Sequence, residues 1–159
     1  MDETTKVAVY IEIEKGSNLK YEFNKETNAL ELDRVLPKPF FYPYAYGYII
    51  GTKAMDGDEL DILILTNKHI PKDSYLDAYI VGVLLMEDEK GMDEKVLCVL
   101  EEDTASIKDI CDIDSKTLDS IQSFFSTYKF NTPGRWSTVS GFRDKTYATD
   151  LYKNSVISN

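Results

Sequence analysis

Asp56-Gly57-Asp58-Glu59-Leu60-Asp61 is where this 159-residue chain concentrates groups able to do chemistry. Asp56, Asp58 and Asp61 can bring three carboxylates to one site within six residues. Two carboxylates about 5 Å apart at an effective dielectric near 20 repel by roughly 3 kcal/mol, so such a cluster must take up protons or hold a cation. For several acids at neutral pH the matching cation is a hard divalent ion with oxygen ligands, magnesium or calcium. Asp-Gly is a turn signal, and the apolar run Ile62-Leu63-Ile64-Leu65 reads as a buried strand. Asp56 and Asp58 therefore belong to a loop and Asp61 to the mouth of a strand, a framework rigid enough to hold acids convergent. An acidic surface loop that merely caps a strand has the same spacing and stands as an equal alternative. An EF-hand loop starting at Asp56 would need Gly sixth and Glu twelfth. The chain has Asp61 and Asn67 there, which excludes it. A phosphate-carrying aspartate of the Asp-x-Asp-x-Thr/Val kind would follow directly on a hydrophobic strand. Gly51-Thr52-Lys53-Ala54-Met55 precedes this motif and Leu60 takes its fifth place, leaving that idea a weak rival.

The elements that must position these acids can be read from composition and periodicity. The length suits a single domain over 1–159 with a real core, and 43% hydrophobic with 29% charged residues is a globular balance. A net charge of −10 and a pI near 4.6 argue against nucleic acid as a partner and suit bound cations. No run approaches ~18 apolar residues, and no secretory or lipidation signal is present, so no membrane partner and a cytoplasmic location are expected. Cys98 and Cys111 are too sparse for a disulfide framework. With His69 the single histidine, zinc sites of the His/Cys kind and Ser-His-Asp machinery are nearly excluded. Any chemistry must run on carboxylates, Lys and Arg, Tyr and metal.

Val7 to Ile13, Leu19 to Phe23 and Leu30 to Val35 read as three short strands with tight turns, a meander feeding a small barrel. Alternation puts Lys20 and Glu22 on one face and Tyr21 on the other. Three prolines between 37 and 43 forbid regular structure until Tyr46. Six aromatics between 40 and 48 are mostly core, and Tyr42 and Tyr46 each carry a polar tip that could reach a ligand. Pro71 to Ser74 reads as a loop, and Ala78 to Met86 and Glu94 to Leu100 as apolar strands. An acid-dense hairpin, Glu87 to Asp93, joins those two strands and could bring Asp88 and Asp93 to Asp56 and Asp61. Leu118, Ile121, Phe124, Phe125 and Tyr128 recur at helical spacing, with Ser115 as N-cap and Asn131 to Gly134 as the stop. Trp136 to Phe142 reads as a last strand and Asp144 to Ile157 as a weakly amphipathic helix with a frayed tail. The expected class is α+β, a small OB-like five-stranded β-barrel with flanking strands and two helices.

With these elements in place, the stretch from about Val7 to Phe142 resembles the soluble family I inorganic pyrophosphatases. The strongest block is Asp56-Gly57-Asp58-Glu59-Leu60-Asp61-Ile62, which matches that family's Asp-x-Asp-Pro/Glu-apolar-Asp-apolar signature. Ile11-Glu12-Ile13, Lys20-Tyr21-Glu22, Asp33-Arg34, Phe41-Tyr42-Pro43 and Tyr46-Gly47-Tyr48-Ile49 support it in order. So do Asp88-Glu89-x-Gly91-x-Asp93-x-Lys95, Ile107-Lys108-Asp109-Ile110, Phe124-Phe125-x-x-Tyr128-Lys129 and Gly134-Arg135-Trp136. The tail beyond Phe142 matches less well. The resemblance implies an OB-like barrel and magnesium-dependent hydrolysis of inorganic pyrophosphate to two phosphates. It assigns metal ions to Asp56, Asp61 and Asp93, with Asp88 and Glu12 holding further Mg²⁺, several ions per site. It makes Asp58 the acceptor of the attacking water's proton. Lys20, Arg34, Tyr46, Lys95, Tyr128 and Lys129 would bind phosphate oxygens, with Glu22 and Tyr42 in support. It also implies a homo-oligomer, the hexamer favoured. Ala45 stands where many relatives have Asn, and Leu100 where many have Pro.

The physics of the substrate agrees with this assignment. Pyrophosphate is small, highly charged and without an apolar handle, so its site needs cations and tyrosine hydroxyls as donors. Magnesium takes one or two carboxylates plus phosphate oxygens and water, which suits spaced aspartates. Two other functions remain in view: an OB-like binding module that keeps the acids as a cation sensor, and a different phosphohydrolase on the same scaffold.

Overall fold

A computed structural model of the protein describes residues 5–55, 57–129 and 132–157. Asp56, the first expected metal ligand, lies outside the described residues, as does Asn131. Strands β1 (Lys6–Ile13), β4 (Ala45–Ile49), β5 (Asp61–Ile64), β6 (Ser74–Asp88) and β8 (Lys95–Val99) close a ring. Its order is β1-β4-β5-β8-β6, with β6 returning to pair with β1. Only β5 and β8 run parallel in this ring. This is the expected OB-like five-stranded barrel. β2 (Leu19–Asn24) and β3 (Ala29–Val35) form a separate two-stranded ribbon, while the short β7 (Gly91–Met92) and β9 (Ser137–Arg143) pair with β6.

β6 is longer at both ends than its apolar run suggests. Its first half, through Tyr79, pairs with β1, and its far end, from Val83 to Asp88, pairs with β9. Ser74 is thus strand rather than loop, because partners on neighbouring strands satisfy its backbone where the local sequence does not ask for it.

Alternate residues of the barrel strands supply two apolar clusters, one on each face of the wall. Ile62, Ile64, Val96 and Cys98 join one cluster, which Ala148 of helix α2 (Lys145–Ser155) covers. Leu63, Leu97 and Val99 join the other, roofed by Phe124 and Phe125 of helix α1 (Ser115–Thr127). Asp61 and Lys95 share the face of Leu63 and Leu97 by the two-residue period, so the polar ends of these strands emerge where the α1-covered core stops. Gly47 lets β1 and β4 approach: a Cβ there would sit 1.8 Å from the Tyr10 carbonyl oxygen.

Two helix boundaries differ from expectation. Asp114, not Ser115, caps α1, its carboxylate accepting the Thr117 N–H at 2.8 Å, and Ser115 is the first helical residue. Asp is as good a cap as Ser, and here it is the residue with extended backbone angles. Asp144 caps α2 rather than starting it. The expected frayed tail is instead tied down: Val156 bridges to Thr52, and Ile157 N–H donates to the Gly51 carbonyl at 2.9 Å.

Candidate active site

The strand pairing delivers the acids and their cations to one place. Asp61 at the start of β5 lies beside Lys95 at the start of β8, and Tyr46 sits on the other flank of β5. Neighbouring strands are about 4.8 Å apart, so Asp61 and Lys95 stand side by side, and Tyr46, paired with Leu63 two residues along β5, reaches them with its long side chain. Lys95 Nζ donates to Asp61 at 2.8 Å, to Asp93 at 3.0 Å and to the Tyr46 hydroxyl at 2.9 Å, with only 1% of its surface exposed. Burial works against its charge, yet Asp61, Tyr46 and Asp93 hold its pKa well above the ordinary lysine value. Burial pushes Asp61 up, with Asp93 adding repulsion against the opposing pull of Lys95. Asp93 is held low despite its own burial, by Lys95 and a hydrogen bond from Asp61. The side-chain exposures, 21% for Asp61 and 13% for Asp93, do not single out Asp61. The retained proton is therefore a property of the pair.

A second acid–lysine knot lies where β6 meets the end of α1. Lys129 donates to Asp88 at 2.9 Å and lies 3.3 Å from Glu89, and Asp88 also accepts the Lys90 N–H. Glu89 accepts the Trp136 N–H at 3.1 Å, which ties the segment after α1 to this knot. Despite their burial, Lys129 is held above the usual lysine range, chiefly by Tyr128 and Asp88, and Glu89 below the usual carboxylate range by Trp136 N–H and Lys129.

The third contribution comes from the β2–β3 ribbon. A register shift between Lys20 and Tyr21 sets Lys20 opposite Arg34. Lys20 pairs with Asp33 at 2.7 Å and lies 3.9 Å from Glu22. Glu12 on β1 accepts the Phe23 N–H at 2.9 Å and so anchors the ribbon to the barrel. Burial raises the Glu12 pKa to about 7 against that hydrogen bond, with Glu22 adding to the rise. Arg34 Nη1 donates to the Thr132 hydroxyl at 2.7 Å, while its Nε and Nη2 are buried with no hydrogen-bond partner among the described residues.

All three groups face one cleft of about 740 Å³. It is lined by Glu12, Lys20, Glu22, Arg34, Tyr46, Asp58, Asp61, Asp88, Asp93, Lys95, Tyr128 and Lys129, twelve of the fourteen expected site residues. Asp58 stands on the exposed loop that Gly57 turns with φ +90°. Tyr42 is not on the cleft wall. It lies behind Tyr46, packed against Phe124 at 4.6 Å between ring centroids, where burial first and Tyr128 second raise its pKa. Asp33, Glu59, Glu89 and Arg135 also line the cleft and were missed. All four lie inside blocks that carried the resemblance, so adjacency to Arg34, Asp58, Asp88 and Trp136 was the available signal. Lys25 at the ribbon's tip pairs with Glu59 across the cleft mouth.

Eleven carboxylates face seven lysines and arginines among the described lining residues. That surplus would repel a polyanion unless further cations entered with it. Among the described residues no three acid, His or Cys side chains are gathered closely enough to hold a metal ion between them. The donor set is oxygen only, and two of its members, Asp61 and Glu12, have raised pKa values. This is the arrangement a hydrated divalent ion relieves. Asp61, Asp93, Asp88 and Glu12 could each contribute an oxygen to hydrated ions in the cleft, and Arg34 on its wall could meet an oxyanion.

A closed OB-like barrel with an acid-lined, cation-studded cleft on the flank of its wall defines the structural class. The family model described as inorganic pyrophosphatase matches residues 9–158, including the stretch beyond Phe142. Among curated relatives, the inorganic pyrophosphatase of Campylobacter jejuni is 40% identical over 98% of this chain and 92% of its own length. That of Thermus thermophilus is 43% identical over 91% and 85%. The solved structure of the Helicobacter pylori enzyme superposes with a TM-score of 0.91 at 41% identity, covering 96% of this chain and 92% of that one. The chain belongs to the inorganic pyrophosphatase family.

Proposed function

We propose that this protein hydrolyses inorganic pyrophosphate to two phosphates, with magnesium as its cofactor. The observation that carries the reading is the convergence, in one cleft, of acids from β1, β5, β6 and the loop before β8 with cations from β3, β8 and the end of α1. Such a site is built for a small, multiply charged anion and offers it no apolar handle.

Asp61, Asp93, Asp88 and Glu12 would hold Mg²⁺, with Asp56 completing the set from the acidic loop. When bound, magnesium supplies charge neutralisation for phosphate oxygens and lowers the pKa of water. Asp58, exposed on a glycine turn at the cleft edge, accepts the proton of the attacking water. Lys20 and Arg34 on the ribbon and Lys129 and Tyr128 at the end of α1 grip phosphate oxygens from opposite sides. Lys95 and Tyr46 meet the substrate from the cleft floor. Charge that spreads onto phosphate oxygens in the transition state then finds donors already in position. Glu22 keeps Lys20 on its face of the ribbon, and Tyr42 props Tyr46. No nucleophilic side chain is required, in keeping with a buried Cys98 whose thiol pKa burial pushes up.

No described helix is long and apolar enough to cross a membrane. Two free cysteines suit a reducing compartment, and the reading places the protein in the cytoplasm, without nucleic-acid or membrane partners and as a homo-oligomer, the hexamer favoured. The test is phosphate release from pyrophosphate with and without Mg²⁺, beside ATP. Rapid magnesium-dependent release from pyrophosphate alone is expected, and an intact substrate in abundant magnesium would end the reading.

A further inference from the structure

Arg34 is gripped by a residue that is not on the cleft wall. Thr132 lies 98 positions away, in the segment after α1, yet its hydroxyl accepts a hydrogen bond from Arg34 Nη1 at 2.7 Å. Thr132 is itself held from the site side: its N–H donates to the Lys129 carbonyl at 3.0 Å, and its carbonyl accepts the Arg135 N–H at 3.2 Å. The guanidinium is planar, so occupying Nη1 leaves the edge formed by Nε and Nη2, the edge that binds two oxygens of one anion with parallel N–H bonds. Those two nitrogens are buried and have no partner among the described residues. Asp33, the preceding residue on the ribbon, is engaged by Lys20 rather than by Arg34.

We propose that Thr132 is a positioning residue for Arg34, holding the guanidinium by Nη1 so that it stays on the cleft wall within reach of the substrate's phosphate oxygens. The inference rests on the pyrophosphatase reading and adds to it a mechanical link. The ribbon that carries Arg34 and the segment that follows Lys129 are two separate parts of the chain, and this hydrogen bond sets their relative placement at the substrate.

Thr132→Val keeps the shape and removes the acceptor. It should lower kcat about tenfold with KM within about twofold, because a misaligned donor forfeits bonds that strengthen in the transition state while other cations still bind the ground state. Thr132→Ser should stay within about twofold of the parent. In an Arg34→Ala background the Val substitution should add nothing, since the two act as one unit. Full turnover in Thr132→Val, or the same tenfold loss with Arg34 already absent, overturns the proposal. An inactive parent protein would instead sink the pyrophosphatase reading, and the link would then be read directly. In ¹⁵N-labelled protein, hindered rotation should keep the Arg34 Nη–H resonances resolved in the parent and merge them in Thr132→Val. Equal spectra would overturn it.

Discussion

Lys95→Met should leave a protein that folds poorly without metal and is partly repaired by magnesium. The ammonium it removes is 1% exposed and lies within 3.0 Å of both Asp61 and Asp93. Methionine fills a similar volume, so the loss is electrostatic rather than a cavity. Removing one partner of a buried charge cluster costs about 3–5 kcal/mol. For a chain of this size, each kcal/mol moves Tm by about 2–4 °C, so a drop on the order of 10 °C is expected in chelator at neutral pH. The loss should depend on pH. Without the lysine, both carboxyls take folded-state pKa values above their unfolded ones. Such groups stabilise below the unfolded pKa and lose that contribution as pH rises through the folded pKa. The gap between variant and parent should therefore be small near pH 4 and widen toward pH 8. Magnesium at about 100 times its Kd would return roughly 2.7 kcal/mol, and at one fixed concentration it would return more to the variant, whose acids have no internal counter-ion. Thermal melts at several pH values, with chelator and with Mg²⁺, read all three effects. A variant that melts with the parent in chelator at neutral pH would refute the idea that Lys95 neutralises the acid pair.

Asp58→Asn should reduce turnover by about 10²–10⁴-fold, the range for loss of a positioned proton acceptor, with the magnesium titration unchanged; comparable turnover rules out its assigned role. Asp61→Ala should instead weaken magnesium binding, and an unaltered titration would remove it from the ligand set. Glu12, with its pKa raised to about 7, stabilises the metal-free protein when protonated, a contribution lost as pH climbs through 7. Magnesium must displace that proton, so its affinity should rise from pH 5 to 8. Calorimetry in two buffers of different ionisation heat should show proton release near pH 6, and none there would exclude Glu12. Gly47→Ala places a methyl 1.8 Å from the backbone oxygen of Tyr10, where no flexible side chain can yield. A loss of about 3 kcal/mol or more is expected from overpacking backbone against backbone, read as the urea midpoint; an unmoved midpoint would mean that β1 and β4 can part.

The acidic motif was legible because its geometry is local. A glycine turn followed by an uninterrupted apolar run leaves Asp58 and Asp61 few places to go, and Asp61 does begin β5. The apolar periods of β1 and α1 were legible for the same reason, since burial on one face is written into residues two or four apart. What joins Asp61 to Lys95 and Asp93 is a parallel pairing across a closed barrel, and what joins Arg34 to Thr132 is packing across 98 residues. Neither leaves a trace in spacing. The length of β6, the tying of Val156 to Thr52 and the choice of Asp114 over Ser115 as cap belong to the same category, since each depends on which backbone groups a neighbour has already satisfied. Which residues carry charge, and with what local period, is thus a property of the chain. Which of those charges neutralise one another is decided by barrel closure, because strand neighbours about 4.8 Å apart bring together groups that the sequence keeps distant.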